Sequence, residues 1–583
     1  MKTTTSKRRN LALLFAGVAV LALGFVGCKG RFSSKAVPYI ATLDLRSGLR
    51  EVDSAGVMGV SFPTGSGFAG LILEIRTHAR DKNLRGVLVR LGDRLDMEHA
   101  EELAAVLAPL RAVSTFPVYC HADGLGNATA ALAAKVCTRL VLAPSGEVST
   151  VGVAVQNIYF HKLLTEKLGL SLDVLQIGKF KGAEEPFTRD SPSAEARQSL
   201  EGTLLSLQNE WLEMLKAKPA LGSAWPDAPY AAKESHSKGL VDALGYADDT
   251  LDELKKVAST DSVKSIKGDG AEGGAGLLQG LMGRQHLPNV VVLRAAGSIV
   301  MGHGGSNNVA EGTFTKQVRE LLKDDDVKVV ILRIDSPGGS ALASDLMWHE
   351  LRKLGEKKLL VVSVGGMAAS GGQYLASAGS YVFTDATSIM GSIGVVGGKI
   401  VASDAIERVG VHAETFTAAG GDETRRARAS MESPLQAWDA PTRERVRAEM
   451  TEIYELFVAR VAEGRHLTAE QVRAHAEGRI FSGRDAVAFG LADEVGGLAS
   501  AIDYAKKTAH LPEGSTVGVY ESAGGILERL GLVGADAQAP KLSAWAVAAQ
   551  QLGAPKLVHY ASAWELLRTD RIVLLAPSLL EVQ

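Results

Sequence analysis

The same order of apolar and helical segments occurs twice in this chain, and this repeat limits the fold more than any other feature. Leu84–Arg94 (LRGVLVRLGDR) corresponds to Val327–Pro337 (VKVVILRIDSP), and a helical pattern follows each. Further along, Ser149–Val155 (STVGVAV) corresponds to Gly391–Gly397 (GSIGVVG), with an offset of 242 positions. Because self-similarity at a fixed offset is the signature of a repeated structural unit, we infer a tandem duplication.

Within each copy, short runs rich in β-branched residues alternate with longer helical patterns. Such alternation is typical of βαβ units, in which helices join parallel strands. The sequence therefore predicts an α/β fold in which one domain, with a parallel sheet flanked by helices, occurs twice. We place the copies at 38–258 and 290–510, with a glycine-rich linker at 259–289 and an extension at 511–583 that packs on the core or serves oligomer contacts.

The amino terminus, residues 1–28, has the pattern of an export signal. A basic stretch precedes an uncharged apolar run from Leu11 to Gly27, and Cys28 follows the run. Two interpretations stay open: a lipoprotein signal in which Cys28 is acylated, or an uncleaved transmembrane helix, which needs about 17–25 residues. Both predict a chain anchored in the inner (cytoplasmic) membrane, with its bulk on the periplasmic, extracytoplasmic side.

Composition excludes several classes of function. With 63 basic and 66 acidic residues the formal charge is only −3, so we expect no nucleic-acid partner. The cysteines and histidines do not have the spacing of metal ligands, and we expect neither a metal nor a cofactor. Cys120 and Cys137 lie in apolar runs, where buried free thiols are common, and we predict no disulfide between them.

Ser370 is the candidate nucleophile. It lies among alanines and glycines in VSVGGMAASGGQYLASAG, Val362–Gly379, and the repeat supplies a control because the corresponding residue of the first copy is Ala128. The fold itself therefore does not need a hydroxyl at this place. Acyl transfer also needs backbone amides aimed at the developing oxyanion, and glycines allow such an approach. Gly338, in a strand-to-helix turn, and Gly371, directly after the serine, are the candidate donors.

The candidate base is a lysine of the first copy. The segment QIGKFKGAEEPFTRD contains Lys179 and Lys181, whereas the comparable segment of the second copy, TAAGGDETRRARAS, contains no lysine. A lysine acts as a base only when neutral, which requires its pKa to fall by about three units from 10.4, and burial can supply that shift. We expect Glu184 and Glu185 to point away from the amine. Periodicity does not choose between the two lysines.

The motifs GKFKGAEEPF, RIDSPGG, AASGGQYLA and GSIGVVGG together resemble the long, two-domain form of the signal peptide peptidase A family, membrane-bound serine proteases of the Clp/crotonase superfamily. The resemblance covers residues 38–510. It implies a Clp/crotonase-like fold in each copy and a Ser/Lys dyad in which Ser370 is the nucleophile and Lys181 the base. It further implies peptide substrates, namely cleaved signal peptides left in the membrane, and a homo-oligomer, a tetramer, whose active sites face an enclosed cavity.

Four further residues are predicted to contact substrate: Gly339, Ile389, Met390 and Ile393. The three apolar side chains serve equally well as ordinary core packing. Two other functions stay open at this point. One is a Ser/His/Asp hydrolase with His303, His349 or His412 as its base, and the other is a crotonase-like scaffold that binds partners without proteolysis.

Overall fold

The computed structural model describes residues 37–268 and 287–520 apart from 53, 58–59, 64–66, 113–114, 304–307, 417 and 419–421, together with residues 564, 566 and 572–576. The predicted anchor and Cys28 lie outside the described residues. In the part of the chain that the structure describes, we find no helix with the length and apolar character needed to cross a bilayer.

The secondary structure of the first half alternates strands and helices as the sequence predicts. Its strands are β1 (Tyr39–Asp44), β2 (Ser54–Val57), β3 (Val60–Pro63), β4 (Leu84–Leu91), β5 (Val118–Ala122), β6 (Arg139–Leu142), β7 (Glu147–Val148), β8 (Ser171–Ile177), β9 (Tyr230–Ala231), β10 (Ala243–Leu244) and β11 (Val263–Ile266). Its helices are α1 (Gly67–Ala79), α2 (Met97–Ala112), α3 (Asn127–Val136), α4 (Glu185–Thr188), α5 (Ala194–Leu215), α6 (Pro219–Ala224), α7 (Ala232–Ser237) and α8 (Ala247–Ala258), with a π-helical turn at Leu163–Leu168 and a 3-10 turn at Trp225–Asp227.

The second half has the same kind of alternation. Its strands are β12 (Val290–Ala296), β13 (Ser298–Val300), β14 (Asn308–Ala310), β15 (Val329–Ser336), β16 (Gly338–Ser340), β17 (Leu359–Ala369), β18 (Tyr381–Thr384), β19 (Ile389–Gly391), β20 (Val395–Val401), β21 (Ile480–Ser482), β22 (Glu494–Val495), β23 (Val517–Val519) and β24 (Ile572–Leu575). Its helices are α9 (Glu311–Lys323), α10 (Ala341–Gly355), α11 (Gly371–Ala376), α12 (Ser403–Glu407), α13 (Glu423–Ala429), α14 (Ala440–Arg465), α15 (Ala469–His475), α16 (Gly483–Ala488) and α17 (Leu498–Thr508).

Each half contains a mainly parallel sheet, and six strands of each sheet follow the same order; the second sheet also contains β19, paired with β17, and the antiparallel β21. The first runs β11-β1-β4-β5-β6-β10, and the second runs β23-β12-β15-β17-β18-β22. β6 and β18 begin and end at positions that differ by the offset of the repeat. The predicted α/β class with parallel sheets is confirmed.

The two halves share apolar cores. Alternate residues of a strand point to opposite faces of its sheet. In β12, Val290 and Val292 pack in a cluster with residues of the first half, while Val291 and Leu293 pack in a cluster made mainly of the second half. One face of the sheet of the second half is therefore covered by the first half together with α17, and separating the halves would expose part of that face.

A buried ion cluster also joins the halves. The Arg333 guanidinium of β15 donates to Glu51 and Glu102 of the first half, with Nη2–Oε1 distances of 2.5 Å in both pairs. It also donates to Ser363 Oγ at 3.0 Å, and the second oxygen of Glu102 accepts from the Leu498 amide at 2.6 Å. All three charged side chains are buried away from water, so each depends on the opposite charge beside it for stabilisation.

Cys120 and Cys137 form a disulfide, and our prediction of free thiols was wrong. Cys120 lies in β5, and Cys137 follows α3, the helix that returns the chain to β6 beside β5. This crossover brings the two Cα atoms to 5.8 Å, a distance that suits the bond. The apolar setting of each cysteine is real, but the distance between them depends on the crossover and not on either local segment.

Candidate active site

Lys181 and Ser370 meet in the interior of the protein. The Lys181 amine lies 2.6 Å from Ser370 Oγ, although the two residues are 189 positions apart. Both residues have 0% exposure. Lys179, the alternative that periodicity left open, is exposed. The structure therefore pairs the serine of one half with one lysine of the other.

A strand of the first half that pairs with a strand of the second half positions the lysine. β8 of the first half pairs antiparallel with β20 of the second, and Ile177, the last residue of β8, lies opposite Val395, the first of β20. Lys181 follows β8 in a turn closed by the Lys181 N–H, which donates to the Gly178 carbonyl at 3.1 Å. The Phe180 amide donates across to the Glu477 carbonyl at 2.8 Å, which fixes this turn to the second half.

Ser370 occupies a strained backbone position between β17 and α11. Its φ of 56° and ψ of −110° are unusual for a residue with a side chain, and such conformations persist only where the surroundings impose them. The Ser370 amide donates to the Gly391 carbonyl at 2.8 Å, and the Ser370 carbonyl accepts from the Tyr374 amide at 2.9 Å. These bonds hold the side chain at the start of α11, where it faces the lysine.

The environment of Lys181 favours the neutral amine. Burial lowers its pKa well below the ordinary value, and a negative charge on the nearby Glu184 would oppose this only in part. The backbone packs closely against this residue: a Cβ on Gly394 would lie 3.2 Å from Lys181 Cδ, and one on Gly478 would lie 2.5 Å from Lys181 Cα. A lysine in this state can accept a proton, as a general base must.

The prediction that Glu184 and Glu185 point away was wrong. Both side chains are buried, and Glu185 accepts a hydrogen bond from the Ser193 amide at 3.0 Å. Burial raises the pKa of Glu184 to about 8, so at neutral pH this carboxyl is protonated and uncharged. A buried acid therefore lies close to the lysine without holding the amine in its charged form.

Replacing Glu184 by glutamine tests this protonation state. Since the folded protein holds the proton and the unfolded chain releases it above about pH 4.5, the wild type loses stability as pH rises from there to about pH 8. Glu184→Gln removes this pH dependence. Its melting temperature should therefore rise relative to that of the wild type as pH increases from about 4.5 to about 8. Hydrolysis at pH 7 should stay within about twofold, because an amide resembles the protonated acid. A large loss of activity at pH 7 would show that the ionised carboxylate is needed.

Ser392 completes the lysine's surroundings, and it was not among the predicted site residues. The amine donates to the Ser392 carbonyl at 2.7 Å and lies 2.9 Å from Ser392 Oγ. A neutral amine has two N–H groups and one lone pair, so two bonds to Ser392 leave the lone pair for the Ser370 hydroxyl. Comparison of the copies hides this residue, because the first copy has another hydroxyl, Thr150, at the corresponding position.

The two candidate oxyanion glycines are in contact. A Cβ on Gly338 would lie 2.6 Å from the Gly371 nitrogen, and one on Gly371 would lie 3.0 Å from the Gly338 Cα. Gly338 has a φ of +97°, a conformation that favours glycine, and Gly371 is the first residue of α11. The Gly338 amide donates to Ser336 Oγ at 3.2 Å. Both glycines therefore lie beside the serine, at the amino end of a helix.

The other predicted site residues lie in three different settings. Gly339 belongs to β16, directly after Gly338. Ile389 and Met390 are buried in β19, and Met390 and Ile393 pack in the apolar core of the second half, so their contact with substrate stays a prediction. The alternative bases of a Ser/His/Asp site are all exposed, whereas Ser370 is buried: His303, His349 and His412.

One cluster of metal-type ligands occurs among the described residues. Asp96, Glu98 and His99 approach one another at the start of α2, with ligand atoms within 4.8 Å. The cluster includes neither Ser370 nor Lys181. The chemistry that follows from the buried pair does not use it.

Comparison with known families identifies the family of this chain. The model of peptidase family S49 matches residues 112–261 and 352–512, which are more than half of the chain. The chain belongs to peptidase family S49. The two matched segments of this S49 chain fall in the two halves, and the first includes Lys181 while the second includes Ser370. The Clp protease model matches residues 286–409, in agreement with a Clp-protease-like fold.

Curated relatives extend the likeness of this S49 chain. It is 30% identical over 420 residues to Protease 4 of Haemophilus influenzae, covering 69% of this chain and 66% of that protein. It is 31% identical to the chloroplastic serine protease SPPA of Arabidopsis thaliana, covering 66% of this chain and 57% of that protein. It is 28% identical to Protease 4 of Salmonella typhi, covering 76% and 72% respectively. The matches thus leave a third or more of the first two relatives uncovered.

Proposed function

We propose that this protein is a serine endopeptidase whose Ser370/Lys181 dyad degrades cleaved signal peptides and other hydrophobic peptides. The observation that carries the proposal is the 2.6 Å contact between a fully buried lysine of depressed pKa and the serine hydroxyl. A surface ion pair has no need of such burial, whereas a neutral base does. Membership of peptidase family S49 supports the same assignment.

In the proposed reaction, the Lys181 lone pair takes the proton of Ser370 as the oxygen attacks the peptide carbonyl carbon. Ser392 holds the amine in the required orientation. The Gly371 amide stabilises the negative charge on the carbonyl oxygen, and the Gly338 amide joins it by leaving Ser336 Oγ. Each such donor is worth about 10²–10³ in rate in comparable sites. The protonated lysine then gives its proton to the leaving amine, and water, deprotonated by the same lysine, hydrolyses the ester on Ser370.

The substrate class and the location belong to the proposal as well. An apolar amino-terminal run ending at Cys28, whether acylated or inserted as a helix, would hold the enzyme at the membrane that contains hydrophobic peptides. A relative with 30% identity is named putative signal peptide peptidase SppA in Enterococcus faecium. We further propose that the protein assembles as a homo-oligomer, a tetramer.

A peptide-cleavage assay with a serine-reactive probe tests the function. The full-length protein in detergent should cleave a synthetic apolar signal peptide, with products identified by mass spectrometry. A fluorophosphonate should label the wild-type protein at Ser370 and fail to label Ser370→Ala. Absence of cleavage, or cleavage that survives Ser370→Ala, contradicts the proposal. Mass spectrometry of the mature amino terminus would show whether Cys28 carries a lipid.

A further inference from the structure

A strand from the far end of the chain lies between the two strands that lead away from the candidate active site. β24 pairs antiparallel with β16 on one side and with β20 on the other. β16 begins at Gly338, the candidate oxyanion donor, and β20 begins three residues after Ser392. The strand therefore fills the space between the two sides of the site.

Backbone contacts place β24 directly beside the candidate oxyanion site. The Ala576 amide donates to the Pro337 carbonyl at 2.9 Å. A side chain on Gly338 would overlap the Leu574 carbonyl oxygen and would also lie 2.6 Å from the Gly371 nitrogen. The Leu574 carbonyl is thus on the same side of Gly338 as the Gly371 amide, where a substrate carbonyl would be expected.

The side chains of β24 fill apolar space next to the dyad. Val573 and Leu575 pack in a small cluster with Ala183 and Phe187, from the segment that follows Lys181, and Leu574 packs in the core of the second half. Because Ser370 and Lys181 are themselves fully buried, a substrate cannot reach the hydroxyl while this arrangement persists. Some covering segment must move before a peptide can bind, and β24 is the strand that pairs with both β16 and β20.

We propose that β24 is a resident occupant of the substrate groove, so that substrates bind by displacing it; this rests on the proposed function. Extended peptides commonly bind by adding a strand to open sheet edges, and without β24 the facing edges of β16 and β20 would be open. The occupant has the sequence IVLL at Ile572–Leu575, so the groove accepts an extended, apolar peptide of at least four residues. Since the strand is covalently attached, its effective concentration reaches about the millimolar range, which protects the site from weakly bound peptides.

A reversible covalent lock tests this inference in the full chain. Ser340 and Val573 are directly opposite each other. Pairs with and without backbone hydrogen bonds alternate along antiparallel strands, and the pair three positions away, Pro337 and Ala576, is hydrogen-bonded. Ser340 and Val573 therefore form a pair without backbone hydrogen bonds, the type in which the Cα atoms approach most closely. The double variant Ser340→Cys/Val573→Cys should form a disulfide that holds β24 in place. Oxidation should lower kcat/KM by about tenfold or more, since only the fraction with an open groove binds peptide, and reductant should restore it.

Two controls separate the lock from other effects. Ser340→Cys alone carries the same substitution next to α10, and the same oxidant and reductant act on its native Cys120–Cys137 disulfide. Because it cannot form the second disulfide, its kcat/KM should be the same under oxidising and reducing conditions. Leu574→Asp, which weakens the strand's packing, should raise kcat/KM by about fivefold or more, because the open fraction rises. A locked protein that hydrolyses peptide as fast as its reduced form would overturn the inference even if Leu574→Asp fails to fold.

A binding measurement distinguishes failure of this inference from failure of the proposed function. In the Ser370→Ala background, the anisotropy of a fluorescent peptide with the sequence IVLLA reports binding without hydrolysis. If the lock weakens binding but the active protein cleaves no peptide, the groove assignment stands and the proposed protease function is wrong. If the protein cleaves peptides and the lock changes neither binding nor rate, the function stands and the inference is wrong.

Discussion

Replacing Lys181 by methionine should lower kcat/KM for peptide hydrolysis by about 10²–10⁴-fold, the range that a positioned general base contributes. The methionine keeps an apolar side chain in a site that is already closed to solvent, so the loss reports the missing amine and not a cavity. The rate of peptide cleavage and the melting temperature of the same preparation are the two measurements. Melting should change little compared with the rate.

The chain offers a matched control two positions away. Lys179→Met removes an exposed lysine from the same turn, and we expect its rate to stay within about twofold, as for a surface substitution. The double variant Lys181→Met/Ser370→Ala should be no slower than Ser370→Ala alone, because members of one catalytic unit are not additive. Equal losses in Lys179→Met and Lys181→Met would contradict the assignment.

Replacing Arg333 by methionine should lower the free energy of unfolding by about 3–5 kcal/mol, the usual effect of breaking a buried ion pair on one side. The guanidinium is the partner of Glu51 and Glu102, and its removal leaves Glu102 without a cation and Glu51 with only His99. Chemical denaturation at neutral pH measures the effect. Because the cluster joins the two halves, the variant should also expose the cysteines of the first half to thiol reagents under reducing conditions more readily.

Two variants check that the loss comes from the unpaired charges. Arg352→Met breaks an exposed pair with Glu463, for which about 0–1 kcal/mol is expected. Adding Glu51→Gln and Glu102→Gln to Arg333→Met removes the stranded charges and should restore most of the stability, because uncharged groups are cheaper to bury. If Arg333→Met and Arg352→Met are equally mild, the buried cluster contributes little.

Ser370 and the lysine segment could be predicted from the sequence because the repeat shows which functional groups only one copy retains. Ser370 corresponds to Ala128, and the lysine segment corresponds to a segment without lysine. The choice between Lys179 and Lys181 could not be made from periodicity, since an extended segment would place both on the same face, whereas the structure has a turn there. The fold makes the choice through the antiparallel register of β8 and β20, which is a long-range property.

Other features depend on distances that no local pattern contains. The Cys120–Cys137 disulfide follows from the α3 crossover, and the inward position of Glu184 follows from packing of the lysine turn. Ser392 was not predicted because both copies carry a hydroxyl at this position, and a comparison of the copies detects only what one copy has lost. The apolar sequence of β24 is too short to reveal that its partners are β16 and β20.

The pairing of β8 with β20 of the second half has a consequence for the newly made chain. Before β8 docks on β20, Lys181 is an ordinary hydrated ammonium and Ser370 an ordinary alcohol, neither of them reactive toward peptide bonds. Chemistry begins only when the last-made part of the site has folded around the first. A growing polypeptide that ends before residue 395 therefore lacks the strand on which β8 docks, and its Lys181 stays in water.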